Sequence, residues 1–216
     1  VRAKGLFITI EGPEGSGKTT QASLLRERLE SLGQSVVCVR EPGGTVLGEK
    51  IRELLLGADD DPMSPEAELM LFLSARAQLV SLVIEPALCS GKIMICDRYS
   101  DSTVAYQAFG RGLDRDAVES ANRIASGSLV PDLTILLDVD VAVGLSRVRT
   151  PNRFDAETEE FHRRVRSGFL AIASEEPDRV KIVDASRTEG EVAQDVWRIV
   201  EGAVSGSAEA KEGIRR

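Results

Sequence analysis

The sequence predicts an α/β fold: a five-stranded parallel sheet with helices on both faces, a three-layer sandwich with a mobile lid. Three observations carry this. Five short apolar runs of strand length alternate with stretches of helical periodicity. Those runs are almost continuously apolar rather than alternating, as strands covered on both faces are. A glycine-rich segment, Gly12 to Thr19 in "ITIEGPEGSGKTTQ", stands between the first run and the first helical pattern. It has the G-x-x-x-x-G-K-[ST] spacing of a phosphate-binding loop in the strand–loop–helix context that such a loop needs.

"LFITIE" (6–11) reads as a buried strand, and "TQASLLRERLESLG" (20–33) as an amphipathic helix stopped by Gly33. "SVVCVR" (35–40) is a second strand, turned by "EPGGT" (41–45) into a short helix, "LGEKIRELLLG". A long helix runs from Ser64 to about Leu88, with Ser64 as N-cap, Pro65 in the first position and acids in the first turn. "KIMICD" (92–97), "DLTILLDV" (132–139) and "RVKIVDA" (179–185) complete the strands. One P-loop NTPase-like domain is expected over 1–204, with the lid at about 146–158. The small, charged tail 205–216 is expected to fray.

With 216 residues, 42% hydrophobic and 29% charged, the chain suits one substantial soluble core. A net charge of -8 repels polyanions and argues against a nucleic-acid groove, though clustered arginines can still hold a small phosphorylated ligand. Cys38, Cys89 and Cys96 have no metal-ligand spacing, and Cys38 and Cys96 sit in apolar strands as small hydrophobes. No stretch reads as long enough to span a bilayer, and the N-terminal apolar part is too short for a cleaved signal. The expected setting is the cytoplasm.

In the loop, Gly12, Gly15 and Gly17 let backbone N–H groups turn inward onto phosphate oxygens at a helix N-terminus. Lys18 supplies a point charge for the β and γ phosphates, and the Thr19 hydroxyl suits Mg²⁺. Pro13, Glu14, Ser16 and Thr20 complete the ATP-contacting segment. Asp97 ends a buried strand at the sheet edge where ligands bind, placed to hold Mg²⁺ or its water shell. Arg98 beside it can neutralise phosphate. The alternative, a helix-capping Asp paired locally with Arg98, is weaker given the loop upstream.

Phe72 and Arg76 share a helical face and could sandwich and hydrogen-bond a planar base, although the surrounding leucines favour packing on periodicity alone. "DSTVAYQAFGRG" gathers Thr103, Tyr106, Gln107 and Arg111, the last between two glycines where packing explains it poorly. Arg147, Arg149 and Arg153 flank a break between two helical patterns, as in a lid that brings positive charge over a transferring phosphoryl group. Arg163, Arg164 and Arg166 read as a solvated, salt-bridged face, and His162 among them as a surface residue.

Taken in order, "FITIEGPEGSGKTTQ", "REPGGTVLGEKIRELLL", "ELMLFLSARAQ", "GKIMICDRYSDSTVAYQAFGRG", "PDLTILLDVD" and "FHRRVRSGFLAIA" resemble the thymidylate kinases, over roughly residues 5 to 200. The resemblance implies ATP and dTMP as substrates, Mg²⁺, a homodimer, and neither nucleic-acid polymer nor membrane as partner. It implies that Phe72 stacks on thymine, that Arg76 bonds the base, and that Thr103 and Gln107 line the base pocket. Tyr106 would crowd a ribose 2′-hydroxyl, Glu14 would reach the 3′-hydroxyl, and Glu41 would lie beside both phosphates. Arg98 and Arg111 would hold the acceptor phosphate. Positions 13 to 16 carry no basic residue, which resembles the bacterial lid-arginine type. The lid "RVRTPNRFDAE" is shorter than usual, with Asn152 and Asp155 at the acidic positions. The resemblance therefore gives the catalytic role, with Lys18, Asp97 and Arg98, to Arg153, and leaves Arg149 with ATP.

Two other readings stay open on motifs alone: a UMP/CMP-type nucleoside monophosphate kinase and a regulatory P-loop ATPase. A GTP switch is argued against by the absence of D-x-x-G and N-K-x-D segments.

Overall fold

The computed structural model describes residues 5–57 and 63–213, with side chains described to residue 204. The N-terminal residues 1–4 and the tail end 214–216, on which the signal and fraying expectations partly fall, lie outside the described residues.

Five strands form one all-parallel sheet: β1 (Leu6–Glu11), β2 (Val36–Arg40), β3 (Ile93–Asp97), β4 (Leu133–Asp138) and β5 (Val180–Asp184), in the order β2-β3-β1-β4-β5. Every position of the central β1 is buried, which explains why it reads as an unbroken apolar run. Side chains alternate across it. Leu6, Ile8 and Ile10 pack with Leu25 and Leu29 of α1 (Lys18–Ser31), and on the same side lie Val196, Trp197 and Val200 of α9 (Glu189–Gly213). Phe7 points the other way with Met94 and Cys96, onto Leu79, Ile84 and Leu88. The Ile10–Asp97 and Glu11–Leu136 pairings bring the ends of β1, β3 and β4 level, so the loops that follow them open on one edge.

Helix ends follow local chemistry. Thr45 caps α2 (Val46–Leu56) through Gly48 N at 2.9 Å, and Ser64 caps α3 (Pro65–Leu79) through Ala67 N at 3.2 Å. The long helix expected to about Leu88 is interrupted: α3 passes through a π-helical turn, Val80–Ile84, into α4 (Glu85–Cys89). Contrary to the sequence reading, Pro65–Cys89 is long and apolar enough by length and composition to cross a membrane. In the fold it is a core helix, with Leu69, Leu73, Leu79, Ile84 and Leu88 buried and Glu68 and Arg76 fully covered. A short α5 (Ser100–Thr103) leads into a π-helix, Val104–Gly110, followed by α6 (Arg115–Ser126), α7 (Val141–Ser146) and α8 (Glu159–Glu175). α9 continues to Gly213, beyond the boundary at 204. A second apolar cluster, Leu73, Tyr106, Phe154, Phe161, Val165 and Phe169, joins α3, the π-helix, the loop 147–158 and α8.

Candidate active site

The loop after β1 needs its glycines. Gly12 has φ 147° and Gly15 φ 66°, and a Cβ on them would lie 2.4 Å from Leu137 O and 1.9 Å from Gly144 O. Lys18 Nζ is folded into the loop, donating to Pro13 O at 2.7 Å, Gly12 O at 3.1 Å and Ser16 Oγ at 3.3 Å. Burial, and then the neighbouring Arg98, pull its pKa down to about 8. Thr19 Oγ1 donates to Asp97 Oδ2 at 2.6 Å, joining the loop to the end of β3.

Arg98 follows Asp97 with φ 69°, a left-handed conformation that a non-glycine residue holds only when its surroundings enforce it. Its Nη1 donates to Gly12 O and Ser102 Oγ, both at 3.1 Å. Its Nη2 donates to the Tyr106 hydroxyl at 3.1 Å and lies 2.9 Å from Glu14 Oε1. The Tyr106 hydroxyl in turn donates to Glu14 Oε1 at 2.8 Å. Burial raises the Glu14 carboxyl, but Arg98 and then Lys18 outweigh it and hold it down at about 2.

A cleft of about 690 Å³ runs across this edge. Residues Glu14 to Thr20 line it, together with Asp97, Arg98, Arg40 and Arg52. Phe72, Arg76, Thr103, Tyr106, Gln107 and Phe154 also line it, as do Arg147, Arg149, Arg187 and Val192. Arg76 is 1% exposed and almost fully committed: Nε and Nη2 donate to Glu41 Oε2, and Nη1 to Thr103 Oγ1 and Asn122 Oδ1. Glu41 Oε1 is buried with no partner among the described residues. Glu41 begins the turn after β2, where its peptide bond to Pro42 is cis, and its N–H donates to Asp97 O at 2.9 Å.

The chain matches the family described as thymidylate kinase over residues 10–196. It is 53% identical to the thymidylate kinase of Thermomicrobium roseum, covering 90% of this chain and 93% of that protein. It is 52% identical to that of Pelobacter propionicus, covering 88% and 91%. The crystal structure of thymidylate kinase from Ehrlichia chaffeensis shares the fold, with TM-score 0.77, 35% identity and coverage of 91% and 98%. The chain belongs to the thymidylate kinase family.

Not every residue expected at the site is brought to it. Arg111 donates to both oxygens of Glu68, at 3.1 and 3.0 Å, and to Glu157 at 2.5 Å. Arg153 donates to Glu68 Oε2 at 2.8 Å and Leu55 O at 3.0 Å. Neither arginine lines the cleft, whereas Arg149 does. The reason is Glu68, 1% exposed on α3, which also accepts from Gln107 Nε2 at 2.9 Å. A buried carboxylate draws the available cations to itself. The sequence reading missed this hub, and it missed Phe154, a lid residue seated 5.9 Å from the rings of both Phe72 and Tyr106.

His162 also departs from expectation: it is 2% exposed, edge-on to Phe161, with Nε2 unpartnered among the described residues. Its spacing to Val165, Phe169 and Ile172 is the signal that places it on the buried face of α8. Arg163 and Arg164 do pair along the helix with Glu159 and Glu160, but Arg166 crosses to Asp138 at the end of β4, at 2.7 Å. Arg147, just after α7, donates to Ala185 O and Ser186 O in the loop after β5.

Proposed function

We propose that this protein transfers the γ-phosphoryl group of ATP to dTMP, giving ADP and dTDP. The observation that carries this is one continuous cleft. Its lining joins the phosphate loop, aromatic and hydrogen-bonding side chains fit for a planar base, and several arginines. A phosphate oxygen of dTMP attacks the γ-phosphorus in line as the bond to the β-phosphate oxygen breaks. A phosphate monoester is already anionic near neutral pH, so positioning and charge neutralisation do the work. Lys18 and the loop N–H groups hold the donor phosphates, and Arg98 the acceptor phosphate. Phe72 offers a stacking face, and Arg76 has one Nη2 hydrogen without a partner among the described residues that a base can accept.

Thr19 Oγ1 and Asp97 Oδ2, 2.6 Å apart, are hard oxygen donors suited to Mg²⁺ completed by phosphate oxygens and water. When bound, the ion neutralises charge on the donor phosphates. For the lid arginine, the cleft favours Arg149, with Arg153 anchoring the lid to Glu68. Arg111 serves the same anchor, which withdraws it from the acceptor phosphate. Free thiols at Cys38, Cys89 and Cys96 suit the reducing cytoplasm. Exposed Met70 and Ile124, on the mutually packed α3 and α6, suit a homodimer contact, which sedimentation reads as twice the chain mass; a monomer at micromolar concentration removes the dimer.

Coupled ADP release is the test. ADP is expected to form only when dTMP is present, in a one-to-one ratio with dTDP. ATP hydrolysis independent of any acceptor contradicts the reading and supports a P-loop ATPase.

Lys18 adds a pH prediction. Free protein loses the ammonium charge above about pH 8, whereas bound phosphates restore it. ATP binding near pH 8 is therefore expected to take up a proton, and affinity to fall above that pH by up to about tenfold per unit. Calorimetry in buffers of different ionisation enthalpy reads the uptake; affinity that stays flat through this range refutes it.

A further inference from the structure

We propose that Glu11 is a positioning residue for Arg98, and through it for the acceptor phosphate; this rests on reading Arg98 as the acceptor-phosphate ligand. Glu11 ends β1, is fully buried, and does not line the cleft. Its carboxyl group is spent on the segment that carries Arg98. Oε1 accepts from Tyr99 N at 2.7 Å and from Ser102 N at 3.4 Å, and Oε2 accepts from the Ser102 hydroxyl at 2.5 Å. Ser102 Oγ then accepts from Arg98 Nη1 at 3.1 Å. On the other side, Arg98 N donates to Ile10 O at 3.0 Å.

Arg98 is therefore fixed from both flanks by adjacent residues of β1: its own N–H by the Ile10 carbonyl, the next N–H by the Glu11 side chain. A left-handed non-glycine residue persists only where neighbouring groups over-determine it, and here the over-determining group is the buried Glu11 carboxyl. The same side chain reaches the guanidinium through Ser102. Neither job needs contact with a substrate. Nearby Asp101 is not free to replace it, since Arg179 Nη1 and Nη2 donate to its two oxygens at 2.7 and 3.0 Å. Burial, and then the Asp101 carboxylate, push the Glu11 carboxyl well above its usual range, a cost the fold retains at this one strand end.

A double-mutant cycle tests this. Glu11→Ala is expected to lower kcat/KM for dTMP by about 10²-fold, the scale of an ångström-level displacement of a positioning group. In an Arg98→Ala background the same substitution is expected to cost less than about threefold, because the residue it acts through is gone. Glu11→Gln keeps a carbonyl oxygen for Tyr99 N–H and is expected to recover most of the loss, with Kd for ATP unchanged in both. Equal losses in the two backgrounds, or no loss with Arg98 present, overturn the proposal. Should Glu11→Ala fail to fold, Ser102→Ala runs the same cycle, with about tenfold expected beside Arg98, none without it, and equal factors overturning it. A wild-type protein that prefers another monophosphate sinks the dTMP reading alone, and the cycle is then read on that acceptor.

Discussion

Replacing Arg98 with alanine is expected to lower kcat/KM for dTMP by about 10³-fold, with KM for dTMP raised and KM for ATP moved far less. The guanidinium is held at both Nη atoms, Nη1 by the loop carbonyl of Gly12 and Ser102, Nη2 by the Tyr106 hydroxyl and Glu14. An acceptor phosphate arriving beside Lys18 meets a cation already oriented. Arg98→Lys is expected to recover little, since an ammonium cannot reproduce the fork that serves these partners together. The substitution has a second signature. Glu14 is held at about 2, below its ordinary 4.5, so its ionised form contributes stability that is present above pH 4.5 and lost as pH falls through about 2. Without Arg98 that pKa rises, and acid unfolding is expected to begin at higher pH. An Arg98→Ala protein with unchanged acid unfolding and near-wild-type turnover removes Arg98 from both roles.

Arg149→Ala is expected to lower kcat by about 10³-fold with little change in KM, as for an arginine that neutralises charge on the transferring group. Arg153→Ala is expected to cost about tenfold, by loosening the lid's anchor on Glu68 rather than by removing a charge from the phosphoryl group. Steady-state kinetics of the two variants separates them. A larger kcat loss for Arg153 than for Arg149 returns the catalytic role to Arg153, which then has to leave Glu68 during turnover.

These two arginines show where sequence stops being informative. The phosphate loop was legible because its chemistry is local: the glycines, Lys18 and Thr19 act within a few residues of one another. Asp97 was legible because a carboxylate closing an apolar strand lands on the ligand-binding edge of a parallel sheet. The inner strands β1, β3 and β4 were legible because strands covered on both faces are apolar almost throughout, whereas the edge strands β2 and β5 are only partly covered. By contrast, Arg111 and Arg153 were drawn to Glu68, across 43 and 85 residues of chain, and no periodicity announces such a convergence. Glu11 reads as a strand-ending acid; its role depends on Tyr99 and Ser102, 88 and 91 residues away. The π-helical turn at Val80–Ile84 had a signature that the sequence reading passed over: Pro86 has no N–H to give Leu82 O and its ring crowds that carbonyl, so the α-helix is interrupted just before it. His162 was different. Its neighbours at helical spacing were apolar, and attention to the charges around it hid a buried position.

The most direct test of the whole account is acceptor choice. ADP release with ATP is measured across dTMP, dUMP, UMP, CMP and GMP at matched enzyme concentration. The highest kcat/KM is expected for dTMP, with UMP weaker on our proposal that Tyr106, tied to Glu14 and Arg98 at the cleft wall, crowds a ribose 2′-hydroxyl. A preference for UMP, CMP or GMP over dTMP contradicts it.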